Sequence, residues 1–451
     1  MRSALGATLL LCTSTLVLAA CSSGEPEPVD RPNVVLILID TLRADKLSSY
    51  GNPCDPSPAL TRLAAGGVQF DSVLSQTSWT LPSVGSMLTS RHPRTLGLYD
   101  ERGVLLDDHE MLAEVLKEAG YATFGATANP NLNLRTGIPQ GFDGYEDSQF
   151  VFKFMLEEME SGKPMHEHGA ALHSAREVFG SALEFVDALP DDRPLYLQLN
   201  VMEVHEYQFP SMLRPEYAEG FEDCDNPAYL RRIRQVTDDT EEFVNALRSR
   251  AGFEDTLFVV ISDHGEGLSD HPGIPNSRGH GALLYGSQVS VPWLMFSETW
   301  TPVRQRIAQD VRLLDVLPTI VDYVGLTPPA DIEGVSLMPL IDGTVERAPL
   351  PEILVSETTF REFWKLSVRS GEFQYLHNRD GHEGVPEHEL QRIDGTPHGV
   401  KTDVSAGNEA EVDRLRRFLA DWEREHVQAA ATTAELTEAE RIQLEQIGYL
   451  R

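Results

Sequence analysis

Two patterns of apolar residues alternate along most of the chain. Short runs of β-branched apolar residues, which are typical of buried strands, are separated by longer segments in which apolar residues recur at helical spacing. This alternation predicts an α/β fold with a mostly parallel sheet and helices on both faces. The predicted strands are 34–39, 122–126, 195–201, 257–261 and 291–296, and the predicted helices are 57–66, one that begins near Thr80, 108–119, 170–189 and 228–248.

The pattern changes after Gly343, where shorter strand-like runs surround a turn at Ser370 and Gly371. A helix with one apolar face follows them. The strand-like runs are 352–357, 364–369 and 372–377, and the helical face consists of Val412, Leu415, Leu419 and Trp422. These elements predict a second, smaller structural unit at the C-terminal end.

Thr80 lies where one of the predicted helices begins. It directly precedes Leu81, Pro82 and Ser83, and a run of small and apolar residues follows. Threonine is a favourable N-cap residue, and proline is tolerated in the first turn. The free N–H groups and the positive dipole end of such a helix attract an anion such as a phosphoryl or sulfuryl group. Taken alone, the segment fits an ordinary capped helix better than a site.

Two carboxylates follow predicted buried strands. Asp40 comes after the first predicted strand, and Asp263, with His264 behind it, comes after the fourth. Ligands bind at the carboxyl ends of the strands in open parallel sheets, so these residues point to one site. A charge at the end of a buried strand is costly unless it is paired or bound to a cation. Together with Thr80, these residues predict a metal-dependent site.

Two further histidines are candidate catalytic residues. His205 follows the predicted strand 195–201, and His280 lies between two glycines in the loop after His264. Taken alone, a histidine is more often a surface residue or a satisfied core residue than a catalytic one. His271, in the same loop as His280, is equally consistent with a second metal site and with a solvated position.

Several short motifs occur in a fixed order between Pro32 and about Trp422. They are residues 40–45, 49–52, 141–143, 202–206, 262–266, 279–281, 314–319 and 333–337. In this combination the chain resembles the sulfatase-like family of the alkaline phosphatase superfamily. The resemblance implies an alkaline phosphatase-like α/β domain with a small C-terminal antiparallel sheet and a packing helix. It also implies that His205 and His280 contact the transferring group or the leaving oxygen.

The departures from true sulfatases point to another branch of that superfamily. Thr80 stands where sulfatases have the cysteine or serine that is oxidised to formylglycine, and Val84 stands where they have an arginine. A threonine is not converted to formylglycine by that route. The closer match is to the metal set of lipoteichoic acid synthases and phosphoethanolamine transferases, which attack phosphodiesters with a threonine. The matching residues here are Asp40, Thr80, Asp263 and His264.

This ligand set suits a transition-metal ion. Three oxygens and one imidazole favour Zn²⁺ or Mn²⁺ over Ca²⁺. We therefore expect a metal-dependent hydrolase or transferase of anionic phosphate esters, above all diesters or phosphonate monoesters, with Thr80 as covalent nucleophile. Two alternatives stay open: a sulfate-ester hydrolase that works without formylglycine, and a catalytically inactive binding lipoprotein of the same fold.

The chain is strongly acidic, with 37 basic and 70 acidic residues and a formal net charge of −33. This charge argues against nucleic acid and anionic membrane surfaces as partners. It also repels an anionic ester at long range. The expected substrate therefore has to be attracted locally, by the metal ion and the helix end.

The N-terminal segment resembles a bacterial lipoprotein signal. Arg2 precedes an apolar stretch at 4–20, and small residues lead into Cys21. This pattern predicts lipid attachment to Cys21 as the membrane anchor, and a periplasmic or other extracytoplasmic location in the bacterial cell envelope; a plain signal peptide is the alternative. Cys54 and Cys224 would then meet oxidising conditions, although the sequence leaves their pairing open. The expected division is a signal peptide at 1–20, a linker at 21–31, a catalytic domain at 32–345 and a C-terminal subdomain at 346–451.

Overall fold

The computed structural model describes residues 31–147, 174–189, 193–210, 213–274, 276–361, 363–379, 385–393 and 403–446. The predicted signal peptide and Cys21, the predicted site of lipid attachment, lie outside these residues, as does the predicted linker apart from Arg31. Within the described ranges, no helix has the length and apolar character needed to cross a bilayer. The domain boundary expected after residue 345 stays a prediction.

Helices and strands alternate much as the apolar pattern predicts. The strands are β1 (Asn33–Ile39), β2 (Val68–Leu74), β3 (Ala122–Thr127), β4 (Gly144–Glu146), β5 (Leu195–Val201), β6 (Thr256–Ile261), β7 (Gly267–Leu268), β8 (Arg278–Gly279), β9 (Ser290–Phe296), β10 (Arg306–Ile307), β11 (Val311–Arg312), β12 (Ile353–Thr358), β13 (Lys365–Ser370), β14 (Phe373–Asn378) and β15 (His388–Arg392). The α-helices are α1 (Pro58–Leu63), α2 (Thr80–Thr89), α3 (Pro93–Leu96), α4 (Leu112–Glu118), α5 (Ala175–Ala188), α6 (Pro227–Arg248), α7 (Gly286–Val289), α8 (Val316–Tyr323), α9 (Met338–Ile341), α10 (Glu409–Glu425) and α11 (Glu438–Gln446).

The large sheet is mostly parallel, which confirms the predicted fold class. Its strands lie in the order β10-β2-β9-β6-β1-β5-β3-β4, with β11 also paired to β2. Strand β1 lies between β5 and β6 and is parallel to both. Strand β9, which was predicted, runs antiparallel to β6 and to β2. Because β1, β5 and β6 are parallel neighbours, their carboxyl ends meet at one edge of the sheet.

Both faces of the sheet are covered by helices, as expected. On β1, Val34 and Leu36 belong to an apolar core that also contains residues of α2, α4 and α8. The alternate residues Val35 and Ile37 belong to a second core with residues of α1, α5 and α6. A strand buried on both faces explains why its sequence is a continuous apolar run.

The C-terminal part forms the expected small antiparallel sheet, with strands in the order β12-β13-β14-β15. Helix α10 packs on it through Leu415, Leu419 and Trp422, and Val412 lies against the same core. Strand β15 escaped prediction because Leu390 is its only apolar residue.

Cys54 and Cys224 form a disulfide, with an S–S distance of 2.03 Å. Cys54 lies just before α1 and Cys224 just before α6, and these two helices pack against each other. The bond answers the question that the sequence left open. It joins segments that are 170 residues apart in the chain.

Candidate active site

Asp40 and Asp263 follow neighbouring parallel strands, so the fold brings them together as predicted. Asp40 comes after β1 and Asp263 after β6, and both side chains are fully buried with His264 beside them. Thr41, the residue after Asp40, has a φ of +58°, which is rare for a β-branched residue. Its amide donates to Asp263 Oδ1 over 3.4 Å. The chain thus leaves β1 in a strained turn that the second carboxylate helps to hold.

Thr80 lies at the start of α2, but it is the first helical residue and not the N-cap. The N-cap is Trp79, whose side chain makes no capping hydrogen bond, so the predicted capping role of Thr80 is wrong. A capping side chain needs a non-helical backbone to reach the free amides, and Thr80 already belongs to the helix. Its Oγ1 lies instead 3.5 Å from Asp40 Oδ2 and 3.3 Å from His264 Nε2. The hydroxyl therefore belongs to the same group of buried side chains as Asp40, Asp263 and His264, and we call this group the pocket.

Ser83 connects the start of α2 to residues that follow strands β6 and β2. Its Oγ donates to the backbone carbonyl of Asp263 over 2.6 Å and lies 3.0 Å from the hydroxyl of Ser75. The neighbouring residue, Val84, is fully buried in the apolar core beneath the helix. The first turn of α2 thus holds Thr80 in place from two sides, by a hydrogen bond to Asp263 after β6 and by packing.

Asp40, Asp263 and His264 have the arrangement of a metal site. One ligand atom from each lies within 4.8 Å of the others. Among the described residues, Asp40 Oδ1 and Asp263 Oδ2 are buried and have no hydrogen-bond partner. His264 Nδ1 donates to the carbonyl of Gly265 over 2.9 Å, so Nε2 carries the lone pair. Two unpartnered carboxylate oxygens and one imidazole lone pair fit a divalent cation.

Burial also shifts the pKa values of Asp40, Asp263 and His264. Burial raises the pKa of Asp40, and burial together with the charge of Asp40 raises the pKa of Asp263 to about 6. Burial lowers the pKa of His264 to about 4. Two carboxylates that are fully buried are stable in the ionised form only when a cation compensates their negative charge.

Asn129 belongs to the pocket and was not predicted. It follows β3, and its Nδ2 donates to Asp40 Oδ2 over 2.6 Å and to Thr80 Oγ1 over 3.3 Å. Asn129 thereby holds one oxygen of Asp40 and leaves the other for an ion. Its place after a parallel strand was the only signal in the sequence, because an asparagine before a proline is usually read as a turn.

The two predicted catalytic histidines do lie together. The rings of His205 and His280 are 5.0 Å apart, and the ring of His280 is 4.6 Å from that of His264. His205 Nδ1 donates to Glu206 Oε1 over 2.8 Å, and His280 Nδ1 donates to Glu266 Oε2 over 3.1 Å. Sequence reasoning missed both glutamates, although each lies inside a motif.

The two histidines differ in protonation. Burial alone lowers the pKa of His205, but the hydrogen bond and the charge of Glu206 outweigh it and raise this pKa to about 9. Burial and the charge of His205 hold the pKa of His280 well below its usual value. A protonated and a neutral imidazole therefore lie side by side.

His271 does not reach this pocket. It stacks on Tyr285 with ring centroids 3.8 Å apart, and it belongs to neither of the clusters of three ligand-type side chains in the described ranges. The idea of a second metal site through His271 has no support. Arg43, by contrast, stabilises the pocket from outside, because it binds Asp45 and Asp270 and donates to the carbonyl of Glu266 over 3.0 Å.

The second cluster of three lies on the C-terminal sheet. His377 and His388 face each other across β14 and β15, with Glu387 beside them. However, Arg379 Nε donates to His377 Nδ1 over 3.2 Å. That hydrogen bond places the ring proton of His377 on Nε2, so this nitrogen cannot bind a cation.

Comparisons with known proteins agree with the motifs. The sulfatase family model matches residues 32–326. The chain is 26% identical to dog N-acetylgalactosamine-6-sulfatase over 387 residues. This alignment covers 76% of this chain and 71% of that enzyme. The chain is 22% identical over 388 residues to an arylsulfatase of Clostridium perfringens, with 69% of this chain and 79% of that protein covered. A solved 2-O GAG sulfatase has the same fold, with a TM-score of 0.69, 16% identity and 88% and 92% of the two chains covered.

These findings overturn the activity that the sequence led us to expect. Both relatives are sulfatases, so the prediction of a phosphate-ester hydrolase or transferase with Thr80 as covalent nucleophile is wrong. The relatives described above do not show the resemblance to lipoteichoic acid synthases. The predicted superfamily and the ester-hydrolase class are confirmed.

Proposed function

Because the chain belongs to the sulfatase family, we propose that it hydrolyses sulfate esters, and that it does so without formylglycine. The observation that carries the proposal is the pair of buried carboxylate oxygens on Asp40 and Asp263 that have no hydrogen-bond partner and lie beside the imidazole of His264. Such a set has to hold a cation, and a cation attracts an anionic ester to a chain that otherwise repels it.

The metal ligands in this proposal are Asp40, Asp263, His264 and Thr80 Oγ1. A bound divalent ion supplies stabilisation of the negative charge on a sulfuryl oxygen. The imidazole ligand favours Zn²⁺ or Mn²⁺ over Ca²⁺. Asn129 keeps Asp40 in place through its 2.6 Å hydrogen bond.

Thr80 acts here as a ligand and a hydrogen-bonding group, and water attacks the sulfur. A sulfated threonine would have no adjacent hydroxyl through which to expel sulfate, whereas the aldehyde hydrate of formylglycine does. Attack by water forms a new sulfur–oxygen bond, and the bond from sulfur to the leaving oxygen breaks. Of His205 and His280, one accepts the proton of the water and the other protonates the leaving oxygen.

The substrate class and the location extend this proposal. The names of the relatives favour an aryl or sugar sulfate as substrate. A lipid on Cys21 would hold the enzyme on the extracytoplasmic face of the cell envelope. Metabolic labelling with a fatty acid should mark the wild-type protein and not Cys21→Ala; equal labelling of both would contradict the anchor.

A substrate panel tests the activity. Metal-replete protein should hydrolyse 4-nitrophenyl sulfate or N-acetylgalactosamine 6-sulfate, and should lose this activity in Asp263→Asn. His271→Gln, a change in the adjacent loop outside the pocket, should keep it. Turnover of bis(4-nitrophenyl) phosphate with none of any sulfate would refute the proposal. Binding of sulfate esters without turnover would favour the inactive binding protein instead.

A further inference from the structure

We propose that Glu206 and Glu266 are positioning residues, which hold the imidazoles of His205 and His280 in one orientation and one tautomer for proton transfer. This inference rests on the proposed function, because it assigns the proton transfers of that reaction to the two histidines. Glu206 and Glu266 are not among the metal ligands proposed above.

The geometry of the two pairs is the same. In each, a glutamate oxygen accepts a hydrogen bond from Nδ1 of a histidine, over 2.8 Å for Glu206 and 3.1 Å for Glu266. The two glutamates are only 1% and 2% exposed. The two imidazole rings are 5.0 Å apart and inclined at 60°. Two histidine–carboxylate pairs therefore face each other next to the metal ligands.

These two glutamates differ from structural glutamates in the side chain that donates to each carboxylate, which is an imidazole. Within the part of the chain that the structure describes, Glu206 Oε2 and Glu266 Oε1 are buried and have no hydrogen-bond partner. Glu357, by contrast, accepts hydrogen bonds from the backbone and the guanidinium of Arg94. A buried carboxylate that leaves one oxygen without a partner costs stability, and a functional role accounts for that cost.

Neighbouring arginines hold the two glutamates by their backbone and leave the carboxylates to the histidines. Arg232 Nη2 donates to the carbonyl of Glu206 over 3.3 Å, and Arg43 Nη1 donates to the carbonyl of Glu266 over 3.0 Å. The guanidinium of Arg43 is also engaged by the carboxylates of Asp45 and Asp270. The backbone at each glutamate is thus fixed, and this also fixes the imidazole that is hydrogen-bonded to its carboxylate.

The chemical consequence concerns the opposite ring nitrogen. A carboxylate at Nδ1 keeps a proton on that nitrogen, so Nε2 is the atom that exchanges a proton with the reactants. The acid gives its Nε2 proton to the leaving oxygen as the bond to sulfur breaks, and the base takes a proton from the attacking water at Nε2. Each glutamate keeps its hydrogen bond to Nδ1–H throughout and stabilises the imidazolium without accepting the proton.

Glutamine variants test the positioning. Glu206→Gln and Glu266→Gln should each lower kcat by about 10- to 100-fold, the range found when the partner of a functional histidine is removed, while KM changes little. The variant next to the acid should lose more on phenyl sulfate than on 4-nitrophenyl sulfate, because the poorer leaving group needs its proton. The variant next to the base should lose equally on both. Glu203→Gln is the matched control, since Glu203 is equally buried but accepts from the backbone amide of Ala175 at the start of α5.

A spectroscopic measurement makes the test independent of turnover. Histidine labelled with ¹⁵N should show an Nδ1–H signal for His205 and His280 in the wild type, and each glutamine variant should shift the signal of its own histidine alone. If the wild-type protein hydrolysed no sulfate ester, the proposed function would be refuted. The ¹⁵N signals would still test the two histidine–glutamate pairs. Variants with wild-type kcat, or unchanged ¹⁵N signals, would overturn the inference.

Discussion

At the scale of single residues, the hydroxyl of Thr80 lies among hydrogen-bonding groups that carry no positive charge. Asn129 and His264 each lie 3.3 Å from its hydroxyl, and Val84, where sulfatases have an arginine, is a core residue. The first turn of α2 therefore offers no cation to the ester. In the proposed reaction, His205 and a bound ion would stabilise the negative charge that develops on the ester.

The first prediction concerns the hydroxyl of Thr80. Thr80→Val keeps the shape of the side chain but removes the oxygen, so it should lower both the metal content and kcat, the latter by about 100-fold or more, as for loss of one group that stabilises the transition state. Thr80→Ser keeps the oxygen and should retain a measurable part of the activity. Elemental analysis and turnover of 4-nitrophenyl sulfate check both effects. A valine variant with normal metal content and turnover would show that Thr80 is only a packing residue.

The candidate metal ligands and the two histidines beside them could be picked out because they follow strands or lie in motifs. Asp40, Asp263 and His205 each come directly or closely after a parallel strand, and the edge of a parallel sheet collects such residues. Asn129 also follows a parallel strand and Glu206 also lies inside a motif, but neither placement was enough to single them out. A turn asparagine and an acid beside a histidine have no periodic signal, and only the three-dimensional contacts give them a role.

At the scale of elements, long and uninterrupted apolar strands were easier to predict than short or interrupted ones. Strand β2 was missed because Asp71 and Ser72 interrupt its apolar run, at the point where its register with β9 shifts. The run that forms β9 was recognised, but a continuous apolar segment has the same appearance in either direction. The direction of a strand depends on its partners in space, and those are set by the whole chain.

The second prediction concerns the disulfide between Cys54 and Cys224. It closes a loop of 170 residues, and the chain-entropy model gives roughly 5 kcal/mol of stabilisation for a loop of that order. The double variant Cys54→Ser/Cys224→Ser should therefore unfold at a lower denaturant concentration while its kcat stays unchanged. Wild-type protein in a reducing agent should match the variant. Equal midpoints for the oxidised wild type and the variant would contradict the prediction.

At the scale of the whole molecule, buried charged groups join the large sheet region to the C-terminal sheet. Arg94, at the start of α3, pairs with Glu357 of β12 at 2.8 Å, and its guanidinium lies 4.5 Å from the ring centre of Trp422 of α10. The ring of His92 lies 5.2 Å from that of Trp422. This contact region was invisible in the sequence, because its members are separated by hundreds of residues.

The third prediction is a pH dependence of stability that comes from His92. Burial, then the charges of Arg312, His426 and Arg94, hold the pKa of His92 well below the usual value of 6.5. Below that pH the unfolded chain takes up a proton at His92 and the folded protein does not. The free energy of unfolding therefore falls as the pH drops below about 6.5. The stabilisation is complete above this pH and is lost on acidification.

Two neutral replacements separate this effect from packing. His92→Phe keeps a ring against Trp422 and His92→Gln does not, but neither takes up a proton. Denaturant unfolding at about pH 7 and about pH 5 should show, for both variants, a smaller loss of stability on acidification than for the wild type. The metal ligands and the other titrating groups are the same in all three proteins, so their contributions cancel in this comparison. A pH dependence as steep in both variants as in the wild type would mean that His92 is protonated in the folded protein, and that the cationic groups around it do not keep the ring neutral.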